Sequence, residues 1–373
     1  MIQLSFNKLV QLKQLHSIEG IGPQKILSLL GKFQNIEQIL NASFNELILV
    51  EGISKTLALK IIKSNESQHI ISNELEKELN ALNKINAKVL TFLDENYPFQ
   101  LKNIYFPPIF LYYKGNIELI ETSSVAIVGT REPTTYGRIT AELVATELAN
   151  RNVTSVSGLA RGIDTIVHSS SLKANGKTIA VIGSGMDVIY PPENKKLFDA
   201  ISDSGIIISE YPLGTKPDAQ NFPRRNRIIS GVSLGTLIIE TKMNGGAMLT
   251  AQYALDQGKE VFAIPGNINS KYSEGPNLLI QRGSAKLIRN VDDMLEELRL
   301  LKSPSEDKFV LQKQAELNLF EEKIYTAIQS EPKQIDEISL LSGLSTSDCL
   351  IHLLSMEFKG IVRQRPGKVF SID

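Results

Sequence analysis

Arginines and glycines, set at intervals behind short apolar runs, are the residues of this chain best suited to chemistry. Arg131 follows Val128-Gly129-Thr130, and Arg161 follows Ser157-Gly158-Leu159-Ala160. Arg224, Arg225 and Arg227 fall within Asn221-Phe222-Pro223-Arg224-Arg225-Asn226-Arg227, behind a proline suited to opening a helix. A guanidinium meets phosphate through a planar fork of donors, and a helix N-terminus adds unpaired N–H groups. Ser157-Gly158 and Gly183-Ser184-Gly185 would admit a backbone closely, and Gly245-Gly246 opens another helical run. Together these residues suit a chain of phosphates. The same arginines could instead form a surface ion-pair network with Glu210 and Glu240. Asp164 and His168 stand four apart on one helix face, where an acid–base pair would suit hydrolysis. Such a pair more often anchors a helix start and buries a satisfied histidine, and that is the reading adopted. No nucleophile–base–orienter set is evident, so no catalytic residue is assigned.

These residues need a scaffold, and the apolar pattern supplies one. Runs at 124–128, 153–157, 177–182, 206–209, 234–239 and 260–264 read as buried strands, with helical segments between most of them. Strands alternating with helices imply βαβ units and a doubly wound, mostly parallel sheet. The glycine-rich and charged residues collect where strands end, on the carboxyl rim where ligands sit in open α/β sheets. Two phosphate-loop lookalikes fail. Ser171-Leu172-Lys173-Ala174-Asn175-Gly176-Lys177-Thr178 has serine where the first glycine belongs and runs from helix to strand, the wrong order; Gly258-Lys259 repeats the arrangement. The turn from Gly129 to Gly137 lacks the dinucleotide fingerprint, which argues against oxidoreductase chemistry.

The totals narrow the classes. The chain has 373 residues, 42% hydrophobic and 22% charged, with a net charge of −1, so any anion binding must use local clusters. One cysteine, Cys349, leaves no disulfide framework, and four scattered histidines form no metal-ligand pattern. No cofactor and no metal are expected. No signal peptide or apolar run of spanning length is visible, which points to a cytoplasmic protein without a membrane partner.

Flanking segments suggest smaller modules. Residues 1–80 are expected to be helical, with two similar turns, Glu19-Gly20-Ile21-Gly22-Pro23 and Glu51-Gly52-Ile53-Ser54, in the manner of a helix-hairpin-helix. Eight lysines balance eight glutamates there, so phosphate contact and simple αα-packing both stay open. Residues 81–123 form a connector rich in proline and aromatics, whose expected use is packing on the core, with base stacking as the other use. Residues 81–301 then make the central domain and 302–317 a charged linker. Residues 318–373 show three helices and a short ribbon around Pro366-Gly367, the pattern of a winged helix. Six basic against eight acidic residues favour a protein-contact module over a groove reader there. Lys195, Lys196 and Phe198, after Tyr190-Pro191-Pro192, could add charge and one stacking ring, although a solvated helix face explains the lysines equally well.

Taken in order, these stretches resemble the DNA processing protein A (DprA, or Smf) family of bacteria. The runs that carry the resemblance are Val128-Gly129-Thr130-Arg131, Ser157-Gly158-Leu159-Ala160-Arg161-Gly162-Ile163-Asp164, Tyr190-Pro191-Pro192-Glu193-Asn194, Phe222 through Ser230, and Ala263-Ile264-Pro265-Gly266-Asn267. The resemblance implies a Rossmann-like core that binds single-stranded DNA and dimerises, receives incoming strands in natural transformation and helps load the RecA recombinase. It is not an enzyme in that account. The DNA site it implies comprises Gly129, Thr130, Arg131, Ser157, Gly158, Arg161, Gly183, Ser184, Gly185, Lys195, Phe198, Arg224, Arg225, Asn226, Arg227, Gly245 and Gly246. The chain departs from the family at Asn244-Gly245-Gly246-Ala247, where Ser-Gly-Ser is frequent and a hydroxyl donor is lost, and at Val167, where alanine is usual. A nucleotide-processing phosphoribohydrolase with a similar glycine-rich rim is the alternative, and a small-nucleotide sensor is a third. Against the hydrolase, Glu240 is followed by Thr241-Lys242-Met243 and no clear second carboxylate.

Overall fold

Isoleucine, valine and alanine in runs of four or five give strands that bury both faces, and these form the centre of the molecule. A computed structural model describes residues 6–300, 317–329, 332–358, 361–365 and 369–372. The chain divides into two units, Met1–Leu300 and Leu301–Asp373. In the first unit β3 (Ser124–Val128), β4 (Thr154–Ser157), β5 (Thr178–Ile182), β6 (Ile206–Ser209) and β7 (Gly235–Ile238) are buried at every position. With β1 (Lys88–Thr91), β2 (Phe110–Gly115), β8 (Glu260–Ala263) and β9 (Lys286–Leu287) they make one sheet of order β1-β2-β6-β5-β4-β3-β7-β8-β9. Pairing is parallel from β6 through β9 and antiparallel where β2 meets β6 and β1. The chain runs outward from β3 in one direction through β4, β5 and β6, then returns to place β7 against the other edge of β3. The topological switch therefore lies between β3 and β7, which fixes where a ligand crevice opens.

Helices cover both faces, as a parallel sheet requires. They are α8 (Thr135–Asn150), α9 (Ile163–Lys173), α10 (Lys195–Ser204), α11 (Asn221–Gly231), α12 (Gly246–Asp256), α13 (Glu274–Gln281) and α14 (Val291–Glu297). Before the sheet come α1 (Phe6–Ser17), α2 (Pro23–Lys32), α3 (Ile36–Asn41), α4 (Phe44–Leu47), α5 (Lys55–Lys63) and α6 (Gln68–Lys84), with the short α7 (Phe99–Lys102) between β1 and β2. Gly20 and Gly52, at φ of 91° and 81°, make the two related turns ahead of α2 and α5. Ser54 caps α5 by accepting from the Leu57 N–H at 3.2 Å.

The second unit holds α15 (Leu319–Ile328), α16 (Ile335–Ser342) and α17 (Thr346–Phe358). Its three-stranded sheet has the order β10 (Lys333–Gln334), β12 (Val369–Ile372), β11 (Val362–Arg365). Ile324, Ile338, Leu353, Met356 and Phe370 are buried together, with Cys349 among them. Three helices and a β-ribbon are a winged helix. The expected turn at Pro366-Gly367 and linker positions 302–316 lie outside the described residues.

Among the described residues no single helix is long and apolar enough to cross a membrane. The connector packs on the core, as expected, for part of its length. Tyr97, Ile109, Phe110, Leu111 and Tyr112 are buried, yet Phe99 and Tyr105 are each 70% exposed and Phe106 is 40% exposed.

Candidate functional site

At the carboxyl ends of β3 and β7 a crevice of about 750 Å³ opens. Gly129, Thr130 and Arg131 come to it from the end of β3, Lys242 and Gly245-Gly246 from the turn after β7, and Phe222, Arg225 and Asn226 from α11. The first turn is held by Glu240. Its backbone carbonyl accepts from the Thr130 N–H at 2.6 Å, and its carboxylate accepts from the Thr134 N–H (2.9 Å) and hydroxyl (2.6 Å). Glu240 is 2% exposed, so its carboxylate braces the loop and presents no free oxygen to the crevice as a catalytic group would.

The wall between β4 and β5 is built around a buried arginine. Arg225 is 4% exposed; its Nη1 donates to the Gly158 carbonyl at 2.5 Å and to that of Val181. Asp164 is buried beside it and accepts from the N–H groups of Gly158 (3.1 Å) and Ala160 (3.3 Å). Burial pushes the Asp164 carboxyl up, while Arg225 and the N–H bonds oppose that push. Burial likewise lowers Arg225 to about 10, with Asp164 resisting, so the guanidinium still carries its charge at neutral pH. Glycine is required at Gly158 because a Cβ would lie 2.4 Å from Arg225 Nη1. Gly162, at φ 77°, would put a Cβ 2.4 Å from the Thr130 carbonyl oxygen. The first contact packs the turn after β4 against Arg225 of α11, and the second packs it against the turn after β3.

Above this floor sits an array of arginine and aromatic rings. The Arg131 and Arg225 guanidinium carbons stand 5.4 and 5.9 Å from the Phe222 ring centre. Phe222 and Tyr190 are 5.7 Å apart, and Arg161 lies 5.9 Å from Tyr190. Lys242 lies 5.7 Å from Tyr272 on the opposite lip. Cations spaced by aromatic faces can take a polyanion that carries planar groups. Gly245 precedes α12 with no side-chain cap, leaving that helix start open to an anion.

The structure brings Gly129, Thr130, Arg131, Arg225, Asn226, Gly245 and Gly246 together around the crevice, sets Arg161 beside it against Tyr190, and leaves the remaining expected residues out of its lining. Ser157 donates to the Ile127 carbonyl (2.7 Å) and Ser184 to that of Val188 (2.7 Å), and both are buried, so neither hydroxyl is free for a ligand. Gly183 and Gly185 make room for protein: a Cβ would meet the Phe222 ring at 3.1 Å and the Pro212 carbonyl oxygen at 2.6 Å. Phe198 is 3% exposed and packs in the core with Lys114 over its ring at 5.8 Å, which corrects its expected role as a stacking platform. Lys195, exposed at the start of α10, does not line the crevice. The arginine cluster is split by helical phase. Positions 222, 225, 226 and 229 share the crevice face of α11, while Arg224 and Arg227 point to another cavity. Arg227 pairs with Glu210, the ion-pair reading for that one residue. Arg225 belongs to the wall and is not a free phosphate ligand. Arg161, exposed beside Tyr190, binds Glu193 at 2.5 Å. Asp164 and His168 take structural roles, His168 Nδ1 lying 2.7 Å from Thr178 Oγ1. Phe222, Tyr190, Tyr272 and Lys242 were missed as site residues; an aromatic two places before an arginine cluster was the available signal for Phe222.

A doubly wound sheet with a cationic, aromatic-lined crevice at its switch point defines a Rossmann-like protein. Comparison with known proteins narrows that class. Residues 88–299 match the family model of DNA recombination-mediator protein A, residues 12–64 a SAM-like helix-hairpin-helix tandem, and residues 312–368 the DprA winged helix domain. The chain belongs to the DNA recombination-mediator protein A family. Protein Smf of Synechocystis is 34% identical, covering 94% of this chain and 95% of that protein. DNA processing protein DprA of Bacillus subtilis is 43% identical, covering 60% and 76%. The crystal structure of DNA processing protein A from Streptococcus pneumoniae superposes with a TM-score of 0.66 at 35% identity, covering 79% of this chain and 99% of that one. DNA processing protein A from Helicobacter pylori, described with a single-stranded DNA binding mode, gives 0.52 at 33% identity over 57% and 95%.

Proposed function

We propose that this protein is a single-stranded DNA-binding recombination mediator that holds its strand in the crevice between β3 and β7. The observation that carries this is the stack of Arg131 over Phe222, with Tyr190 and Arg161 continuing it. Arg131, Lys242 and the open start of α12 meet phosphates, and an unstacked base lies on the Phe222 face. A duplex keeps its bases stacked and offers none to that ring, so the site prefers single strands. The relative from Helicobacter pylori, described with a single-stranded DNA binding mode, supports the reading. A mediator passes its strand to a recombinase, and we assign this chain the receipt of incoming DNA in natural transformation, delivery to RecA, action as a homodimer and a cytoplasmic place of work. The winged helix suits protein contact: the exposed side of α17 carries Leu350, Ile351 and Leu354, and the helix has no lysine or arginine. The nucleotide-hydrolase alternative is not favoured, because the Glu240 carboxylate is buried against Thr134.

The test is a salt titration of binding to a labelled single strand and to its duplex, with release of free base from nucleotides followed in parallel. Single-strand preference with a steep salt dependence and no base release is expected. Equal affinity for duplex, or base release, overturns the reading.

A further inference from the structure

A second cavity, of about 910 Å³, lies on the other side of α11. Its outer wall is the pair Tyr105 and Phe106, edge to face with centres 4.3 Å apart and both exposed. Tyr211 adds another ring, and Arg224 brings an exposed cation. Within the cavity wall Arg227 is ion-paired to Glu210 and keeps Nη1 without a hydrogen-bond partner; Gln257 donates to the Arg227 carbonyl at 2.9 Å and keeps Oε1 without one. The same wall thus holds an unmet donor and an unmet acceptor beside a carboxylate. Pro23, at the start of α2, closes one side, and that helix has no side-chain N-cap.

These features specify a ligand chemistry. Two adjoining aromatic rings left in water forgo burial that a planar partner would restore. The Glu210 carboxylate excludes a phosphate from the interior, whereas the N–H donors of a base edge suit that carboxylate, with the unmet Arg227 and Gln257 atoms buried in the same wall. Arg224, exposed, then meets the phosphate outside. We propose that this cavity is a second nucleotide subsite, taking a nucleobase against Tyr105 and Phe106 with its phosphate on Arg224. Its nucleotide is either the continuation of the strand held in the crevice or a free mononucleotide. The first source rests on the function proposed above, because α11 presents one face to each cavity and a strand crossing the helix would meet both.

Tyr105→Ala with Phe106→Ala, and separately Arg224→Gln, test this, since all three side chains are exposed and outside the crevice. Fluorescence anisotropy with oligothymidylates of about 6 and about 20 nucleotides reads the strand source. Equilibrium dialysis with dGMP and dTMP reads the free-nucleotide source. Irradiating a strand that carries 5-iodouracil, followed by peptide mapping, reads the stacking partner. For a continuing strand, the double variant binds the long oligonucleotide about tenfold more weakly, binds the short one unchanged, and loses an adduct at Tyr105 or Phe106. For a free nucleotide, the wild type binds a mononucleotide and the double variant does not, even if no strand binds; that result keeps this subsite and sinks the strand reading. Strand binding that is unchanged in both variants, with no mononucleotide bound and no adduct on the 99–106 segment, overturns the subsite and leaves the crevice reading standing. No binding of strand or mononucleotide by the wild type overturns both.

Discussion

Acidifying this protein should destabilise it through one side chain, His168. The imidazole is fully buried, its Nδ1 is 2.7 Å from Thr178 Oγ1, and its Nε2 has no partner. Thr178 Oγ1 donates to the Ser155 carbonyl at 3.0 Å, so it accepts from His168 and the tautomer is assigned as Nδ1–H. Protonation would place a second N–H⁺ at Nε2, facing no acceptor and in the field of Arg225. Burial first, and Arg225 second, bring His168 down from 6.5 to about 3. Between those values the unfolded chain binds a proton that the folded chain refuses, so stability falls as pH falls from 6.5 toward 3. The loss through this one group is ~0.8 kcal/mol near pH 6 and ~2 kcal/mol near pH 5, approaching a slope of about 1.4 kcal/mol per unit. Burial also lowers His16, with Lys13 adding to the effect, and its contribution has the same sign. Urea unfolding followed by circular dichroism near pH 7.5, 6 and 5, in wild type and His168→Asn, separates the two. The variant should start less stable yet lose about 2 kcal/mol less than wild type between the end points. Parallel pH profiles would refute the reasoning, since they would require an imidazole that protonates equally in both states.

Four further outcomes follow from the site. Gly158→Ala drives a Cβ to 2.4 Å from Arg225 Nη1, and should cost about 1–3 kcal/mol in thermal unfolding by pushing the buried guanidinium off the Gly158 and Val181 carbonyls. Phe222→Ala removes the ring beneath Arg131 and should weaken single-strand binding by about tenfold in anisotropy, with Phe222→Tyr retaining most affinity. Arg131→Ala should reduce the slope of log affinity against log salt by about 0.7, and an unchanged slope would remove it from the phosphate contacts. Lys259 donates to the carbonyls of Ser230, Gly231 and Ser233 at 2.7, 2.6 and 2.6 Å, so Lys259→Met should lower stability by about 2 kcal/mol through the freed end of α11, measured as a lower unfolding midpoint.

How much was legible depended on how local the cause was. Buried strands such as 206–209 announce themselves because a run of isoleucines has nowhere to go but a two-sided core. β2 did not, since Phe110-Leu111-Tyr112-Tyr113 follows two prolines and its pairing with β6 joins Tyr112 to Ser209, far along the chain. β9, two residues long and exposed, carries no pattern at all. Tyr105 and Phe106 have the same composition as their buried neighbours, and only their place outside the sheet leaves them in water.

The sequence by itself determined the alternation of strand and helix, the rim where polar residues gather, and the glycines on which its turns depend. It carried enough ordered motifs to name a family. Which arginine is left exposed and which is engaged by the protein itself was decided by the tertiary structure alone. Arg225 turns inward because Gly158 leaves space for its fork and two carbonyls receive it. Arg227, two residues on, swings to Glu210, and Arg224 opens to a different cavity. Arg131 remains at the surface over Phe222. Residue type sets what a side chain is able to bind. Helical phase, depth and the partners already present set whether it is free to do so.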